Sequence, residues 1–143
     1  MLIGQYDVTA VIETHLVMSD SETAEVVVEL GYRESDPYAV QAQFRQDGSA
    51  TSTWLLARDL LAQGLVATET SPAGMGCVSI WRDEDPDYLL LVLSGDGGEA
   101  LIAAPVEPIE RFMRATRELV PFGAESDLID SAVNAFVSSL LVV

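Results

Sequence analysis

Tyr38-Ala39-Val40-Gln41-Ala42-Gln43-Phe44-Arg45, then Gln46-Asp47-Gly48-Ser49, then Thr51 to Leu56, is the stretch on which the fold turns. Tyr38, Val40, Ala42 and Phe44 alternate with Ala39, Gln41, Gln43 and Arg45, the period of two that gives a strand one dry face and one wet face. Asp47-Gly48 is a hairpin signal, because a two-residue turn needs positive φ at its centre. Thr51 to Leu56 is therefore expected to return as the partner strand.

The same reading spreads outward in both directions. Ser35-Asp36-Pro37 breaks the chain upstream, since proline lacks a donor and pushes its predecessor out of the helical region. Before it, Ala24 to Tyr32, with β-branched Val26-Val27-Val28, predicts one strand, and Tyr6 to Met18, alternating throughout, predicts another. The polar turn Ser19-Asp20-Ser21-Glu22 separates them. Downstream, Ala57 to Gly64 reads as a short helix stopped by its glycine. Thr68 to Gly76 reads as a loop, and Cys77 to Arg82 and Tyr88 to Leu93 as strands joined by the acidic loop Asp83–Asp87. Gly95-Asp96-Gly97-Gly98 is a tight turn into a last strand, Glu99 to Ala103.

After Pro105 and Pro108, residues suited to a helix start, the period changes. Ile109, Phe112, Met113 and Thr116 fall on one helical face. A second helix is expected from Ser126 or Asp127, with an apolar stripe through Leu128-Ile129, Ala132-Val133, Phe136-Val137 and Leu140-Leu141. Strands followed by two helices predict an α+β fold with a mostly antiparallel sheet, and residues 1–143 read as a single domain.

Bulk composition limits the functions available. The 143 residues carry 23 acidic and seven basic side chains, all arginine, for a net charge of −16. Such a chain repels nucleic acid and anionic lipid unless its arginines gather locally. The lone Cys77 has no intramolecular partner, Met1 to Asp7 shows no basic signal-peptide start, and the longest apolar run, Tyr88–Leu93, is far short of a membrane span. A cytoplasmic protein is the expectation. A hydrophobic content of 49% beside that charge points to apolar area hidden between subunits, hence a homo-oligomer.

Catalytic constellations are scarce. His15, the only histidine, sits in mid-strand, and one His with one Cys is too few for the usual metal set. Cys77 has no basic neighbour in sequence to lower its pKa. Gly95–Gly98 lacks a following lysine and helix, so it is a turn and not a phosphate cradle. Asp83-Glu84-Asp85-Pro86-Asp87 begins like a calcium loop but has Tyr88 and Ser94 where that loop needs glycine and glutamate. Neither a cofactor nor a metal is expected. The candidate binding residues are Arg111, Arg114 and Arg117, spaced i, i+3, i+6 on the first C-terminal helix. They are either a docking patch for an acidic partner or a solvated face paired with Glu107, Glu110 and Glu118.

Read together, several segments resemble the SsgA-like proteins, the sporulation and cell-division proteins of actinobacteria. They are Leu30-Gly31-Tyr32 with Asp36-Pro37-Tyr38-Ala39-Val40, Trp54 through Leu65 with its Ala57-Arg58-Asp59-Leu60-Leu61 block, and Val78-Ser79-Ile80-Trp81. Leu93-Ser94, Gly98-Glu99-Ala100-Leu101, Ala104-Pro105, Phe112-Met113 with Thr116, and Val120 to Glu125 continue the match in order and register. The chain departs from the pattern at Arg82, Gly95-Asp96 and Ala115. The resemblance implies a whirly-like fold, a homotrimer, and a non-enzymatic adaptor. That adaptor would act in the cytoplasm at the division septum, meeting the membrane only indirectly. Its implied partners are the tubulin-like GTPase FtsZ, wall-remodelling proteins or other SsgA-like proteins. It also implies that Arg58-Asp59 caps the short helix or pairs it with the sheet, that Trp54 and Trp81 are core or subunit-contact aromatics, and that partners meet the loops at 19–25, 68–76 and 83–87.

Two other classes remain as alternatives. A single-stranded nucleic-acid-binding protein would need its seven arginines concentrated on one aromatic-bearing face. An enzyme would need Asp, Glu or Ser residues from distant strands to converge in a polar pocket.

Overall fold

The computed structural model describes residues 5–47, 49–127, 133–134 and 137. Its strands are β1 (Val8–Val17), β2 (Thr23–Arg33), β3 (Asp36–Gln46), β4 (Ser49–Ala57), β5 (Ala73–Met75), β6 (Val78–Arg82), β7 (Tyr88–Gly95) and β8 (Gly98–Pro105). Helix α1 (Arg58–Gly64) lies between β4 and β5, and α2 (Val106–Leu119) follows β8. One sheet holds all eight strands in the order β4-β3-β2-β1-β8-β7-β6-β5, with antiparallel pairs throughout.

The order consists of two meanders, β1 to β4 and β5 to β8. They join in the middle by a short ladder, His15 opposite Ala103 and Leu16 opposite Ile102. At the far ends α1 packs on β3 and β4 and also on β5 and β6, so the sheet curls and a single short helix spans the gap between its edges. Gly64 permits that closure. A Cβ there would overlap the Ile80 side chain, so the glycine's role is close approach to β6. The helix ends on Gly64 as the sequence predicts, though without a left-handed cap: the residue after it, Leu65, keeps right-handed helical angles.

Alternation decides what lies inside. Ile12, Val28, Val40, Leu56, Ile80, Leu89, Leu91, Ile102 and Ala104 point into one buried cluster. Ile109, Phe112 and Met113 of α2 close it, with Thr116 also buried on that face, as the helical spacing predicts. A small wholly apolar cavity of about 20 Å³ remains among these side chains, bordered by Phe44, Leu61, Leu91 and Ile109.

The loop expected at 68–76 contains β5, a three-residue edge strand paired to β6 that Gly74 within it and Pro72 and Gly76 on either side disguise. The second C-terminal helix falls mainly outside the described residues. Helical backbone is present at 125–127 and at Val133, Asn134 and Val137. Among the described residues, no helix is long and apolar enough to cross a membrane.

Candidate functional site

The polar centre of the molecule is Arg58, the first residue of α1, which is fully buried. Its Nη1 donates to the carbonyls of Thr116 (3.1 Å) and Val120 (2.6 Å), the last turn of α2 and the residue that follows it. Its Nη2 lies 3.1 Å from Glu125 Oε2. A helix C-terminus carries unsatisfied carbonyls and partial negative charge, so a guanidinium placed there satisfies both. Arg58 thus caps a helix, but α2 and not its own. α1 has no side-chain cap at Ala57, and Asp59 is exposed in its first turn.

Burial alone would raise the pKa of Glu125. Hydrogen bonds from its own N–H and that of Gly123, together with the Arg58 guanidinium, outweigh burial and hold the carboxyl below its usual range. The Gly123 N–H reaches Glu125 Oε1 at 2.6 Å, with Gly123 at φ 93°, a turn that only glycine makes easily. Tyr32, whose hydroxyl donates to the Pro37 carbonyl (2.9 Å), has its pKa raised by burial and partly restored by Arg58. The guanidinium carbon stands 5.1 Å from the Tyr32 ring and 4.4 Å from the Phe122 ring. The clamp therefore ties β2, α1, α2 and the 120–125 turn together.

Phe122, held on this clamp, is 40% exposed, and Arg117 approaches its ring at 5.8 Å. With Leu65, Val66 and Met113 it lines a groove of about 200 Å³ between α1 and α2. Arg82 sits in the same groove. Its Nε donates to the Pro86 carbonyl (2.6 Å) and its Nη1 to the Leu65 carbonyl (3.0 Å), while Glu110 stands 4.0 Å from Nη2.

Arg111, Arg114 and Arg117 are all exposed. Among the described residues none of them forms an ion pair, and Glu110 turns to Arg82 instead of to its own helix. The three fan around α2 by about 60° per step: Arg111 borders a hollow against β1 with Phe112, while Arg117 borders the Phe122 groove. The other arginines are engaged inside the chain. Arg33 stacks on Tyr6 (4.5 Å), Arg45 pairs with Glu29, and Arg58 and Arg82 are held as above. The exposed arginines that form no ion pair or backbone bond among the described residues thus lie on α2, while Arg82 keeps one nitrogen, Nη2, only loosely paired with Glu110.

Of the remaining sequence candidates, His15 and Cys77 lie apart from this region, whereas the Asp83–Asp87 loop adjoins it through the Pro86 carbonyl bound by Arg82. His15 is half-buried in mid-β1, and Cys77 is exposed at the β5–β6 turn. In the Asp83–Asp87 loop, Asp83 and Asp85 carboxylates accept backbone N–H groups of Glu84 and Asp87, which makes it a self-bonded hairpin. Among the described residues no group of three His, Cys, Asp or Glu side chains is placed to hold a metal ion. The two tryptophans part company. Trp54 faces inward beside Ala42, whereas Trp81 faces outward in a row with Leu90 and Ala103, next to a row of Val92 and Leu101.

Comparison with known proteins locates the chain. Residues 26–125 match the sequence model described as "Streptomyces sporulation and cell division protein, SsgA", a span that ends on the acid paired with Arg58. The chain is 38% identical over 120 residues to the sporulation-specific cell division protein SsgB of Streptomyces coelicolor, covering 82% of this chain and 85% of that one. It is 36% identical over 125 residues to SsgB of Thermobifida fusca, covering 86% and 88%. The crystal structure of the SsgA-like sporulation-specific cell division protein from Thermobifida fusca superposes with a TM-score of 0.79 at 34% identity, covering 94% of this chain and 95% of that one. A second structure, from work correlating mutations in SsgB with longitudinal cell division during sporulation of Streptomyces coelicolor, gives 0.77 at 35% identity, covering 85% and 94%.

Proposed function

This chain belongs to the SsgA family of sporulation and cell division proteins, and on that premise we propose that it is a non-enzymatic adaptor that brings division or wall-remodelling proteins to the septum. The observation that carries the reading is the division of labour among its seven arginines. Arg33, Arg45, Arg58 and Arg82 are engaged within the chain, and Arg111, Arg114 and Arg117 stand exposed on α2. On a protein of net charge −16, that ridge is where an acidic macromolecule meets attraction and not repulsion. FtsZ, the partner that the family resemblance implies, is the one we propose for it.

The adaptor works as a homo-oligomer, a trimer, in the cytoplasm. The outward rows of β6, β7 and β8 support self-association: Trp81, Leu90, Val92, Leu101 and Ala103 are only half-buried within one subunit. A second copy covering them would remove an apolar surface from water. Nucleic acid is not among the partners, because a few cations fanned around one helix form no continuous track for a phosphate backbone.

The test is binding of the purified chain to FtsZ from the same organism, with light scattering on the same sample. Replacing Arg111, Arg114 and Arg117 together by Glu is expected to weaken binding by about tenfold or more, most strongly at low salt. A wild-type chain that recovers no division or wall protein from its own cells would overturn the reading.

A further inference from the structure

The groove between α1 and α2 combines features that the arginine ridge alone does not explain. Val66 is 82% exposed and Phe122 40% exposed, at the mouth of a hollow that also includes Leu65 and Met113. Isolated exposed apolar residues are ordinary, but two of them bordering one concavity with an apolar lining form a binding surface. Phe122 is also fixed in place. The buried Arg58 lies against its ring, and the turn that carries it is tied down through Glu125 and Gly123. A pre-ordered aromatic gives up little conformational entropy when something packs on it.

The rim is cationic. Arg117 stands beside Phe122 without a carboxylate partner among the described residues. Arg82 is oriented by two carbonyls through Nε and Nη1, which leaves Nη2 facing Glu110 at 4.0 Å, too long for a tight pair. A carboxylate arriving from outside can take that position at little cost. Such positive charge around an apolar hollow is unusual on a chain with 23 acidic residues. It selects for an occupant that is both apolar and acidic.

We propose that this groove captures a short acidic segment of a partner protein, seating one bulky apolar side chain against Val66 and Phe122 and placing carboxylates on Arg117 and Arg82. The inference rests on the adaptor reading above and gives it a docking point. One aromatic or branched aliphatic anchor fills a hollow of about 200 Å³.

Phage-displayed random dodecapeptides panned against the full chain, with the Val66→Asp chain as counter-target, test this whatever the partner's identity. Enriched sequences are expected to pair a Phe, Leu, Ile or Trp with at least two carboxylates. By fluorescence anisotropy of the enriched peptide, Val66→Asp should weaken binding about tenfold or more, and Arg117→Glu about three- to tenfold, the latter loss shrinking in high salt. Both side chains are exposed, so an unchanged melting temperature should accompany each loss. Peptides without carboxylates, peptides that bind Val66→Asp equally well, or no enrichment would overturn the proposal and leave the adaptor reading standing. Conversion of an oligomer to a monomer by Val66→Asp would mean that a second copy fills the groove, and would also overturn it. Failure of the wild-type chain to bind any division protein would sink the adaptor reading alone, while the enriched peptides would still mark the groove.

Discussion

Arg58 and Arg117 carry the same guanidinium and approach the same ring, Phe122, from 4.4 and 5.8 Å, yet they belong to different regions of the molecule. The inner one is fully buried, bound to two helix-end carbonyls and an acid. The outer one is exposed on a helix with two other arginines and forms no ion pair among the described residues. Inside, water is excluded and the charge must be answered by the chain itself, so Arg58 is architecture. Outside, water answers it, so Arg117 remains free to be answered by something else. Identity of residue type says little about role; the surroundings decide it.

The strongest way to break that contrast is Arg58→Met. It strands Glu125 and the carbonyls of Thr116 and Val120, and should cost about 3–5 kcal/mol, with thermal unfolding more than about 10 °C lower. The double change Arg58→Met with Glu125→Leu should recover part of that loss. If the single and double variants melt together, the pair is not coupled.

A smaller effect is expected at the joint that places α1. Gly64→Ala drives a methyl group into Ile80 and should cost about 1–3 kcal/mol in urea unfolding, with the slope unchanged. Acid offers a milder probe of the inner region. The folded-state pKa of Glu125 is depressed, so its contribution is complete above the unfolded-state value and disappears as pH falls through the folded one. The Glu125→Gln chain should therefore show a flatter fall in stability on acidification than wild type. Parallel curves would contradict the assigned pairing.

The outer region supplies the smallest stability effect. Replacing Arg111, Arg114 and Arg117 by Glu should shift unfolding by less than about 0.5 kcal/mol per position while abolishing the ridge's attraction for an acidic partner. A large loss of stability there would erase the distinction between the two regions.

Much of this was legible from local pattern. Alternation in residues 38–45 and the Asp47-Gly48 turn gave the β3–β4 hairpin, and helical spacing placed Ile109, Phe112, Met113 and Thr116 inside and the arginines of α2 outside. Parity also separates the tryptophans: Val78 and Ile80 point inward, so Trp81 must point outward. The clamp was not legible. Arginine is seldom fully buried, and the contact joins residues 58 and 125, a separation no local period encodes. β5 escaped because proline and glycine signal a loop, and an edge strand of three residues has too little periodicity to outweigh them. Nor does sequence spacing state that Glu110 would stand nearer Arg82 than the arginines of its own helix.

The curled sheet has one more implication. Strands β4 and β5 end the order without a ladder to each other; α1 packs against both, and the chain leaving it is tied to β6 by the bonds of Arg82 to the Leu65 and Ala67 carbonyls. A sheet closed by a full ladder is pinned at every rung; one closed by a helix and two hydrogen bonds has far fewer to give up before that seam opens. The dry void beside Leu61 gives that movement somewhere to go. Hydrostatic pressure is accordingly expected to act first where α1 crosses, with amide exchange under pressure rising there before it rises in the central strands.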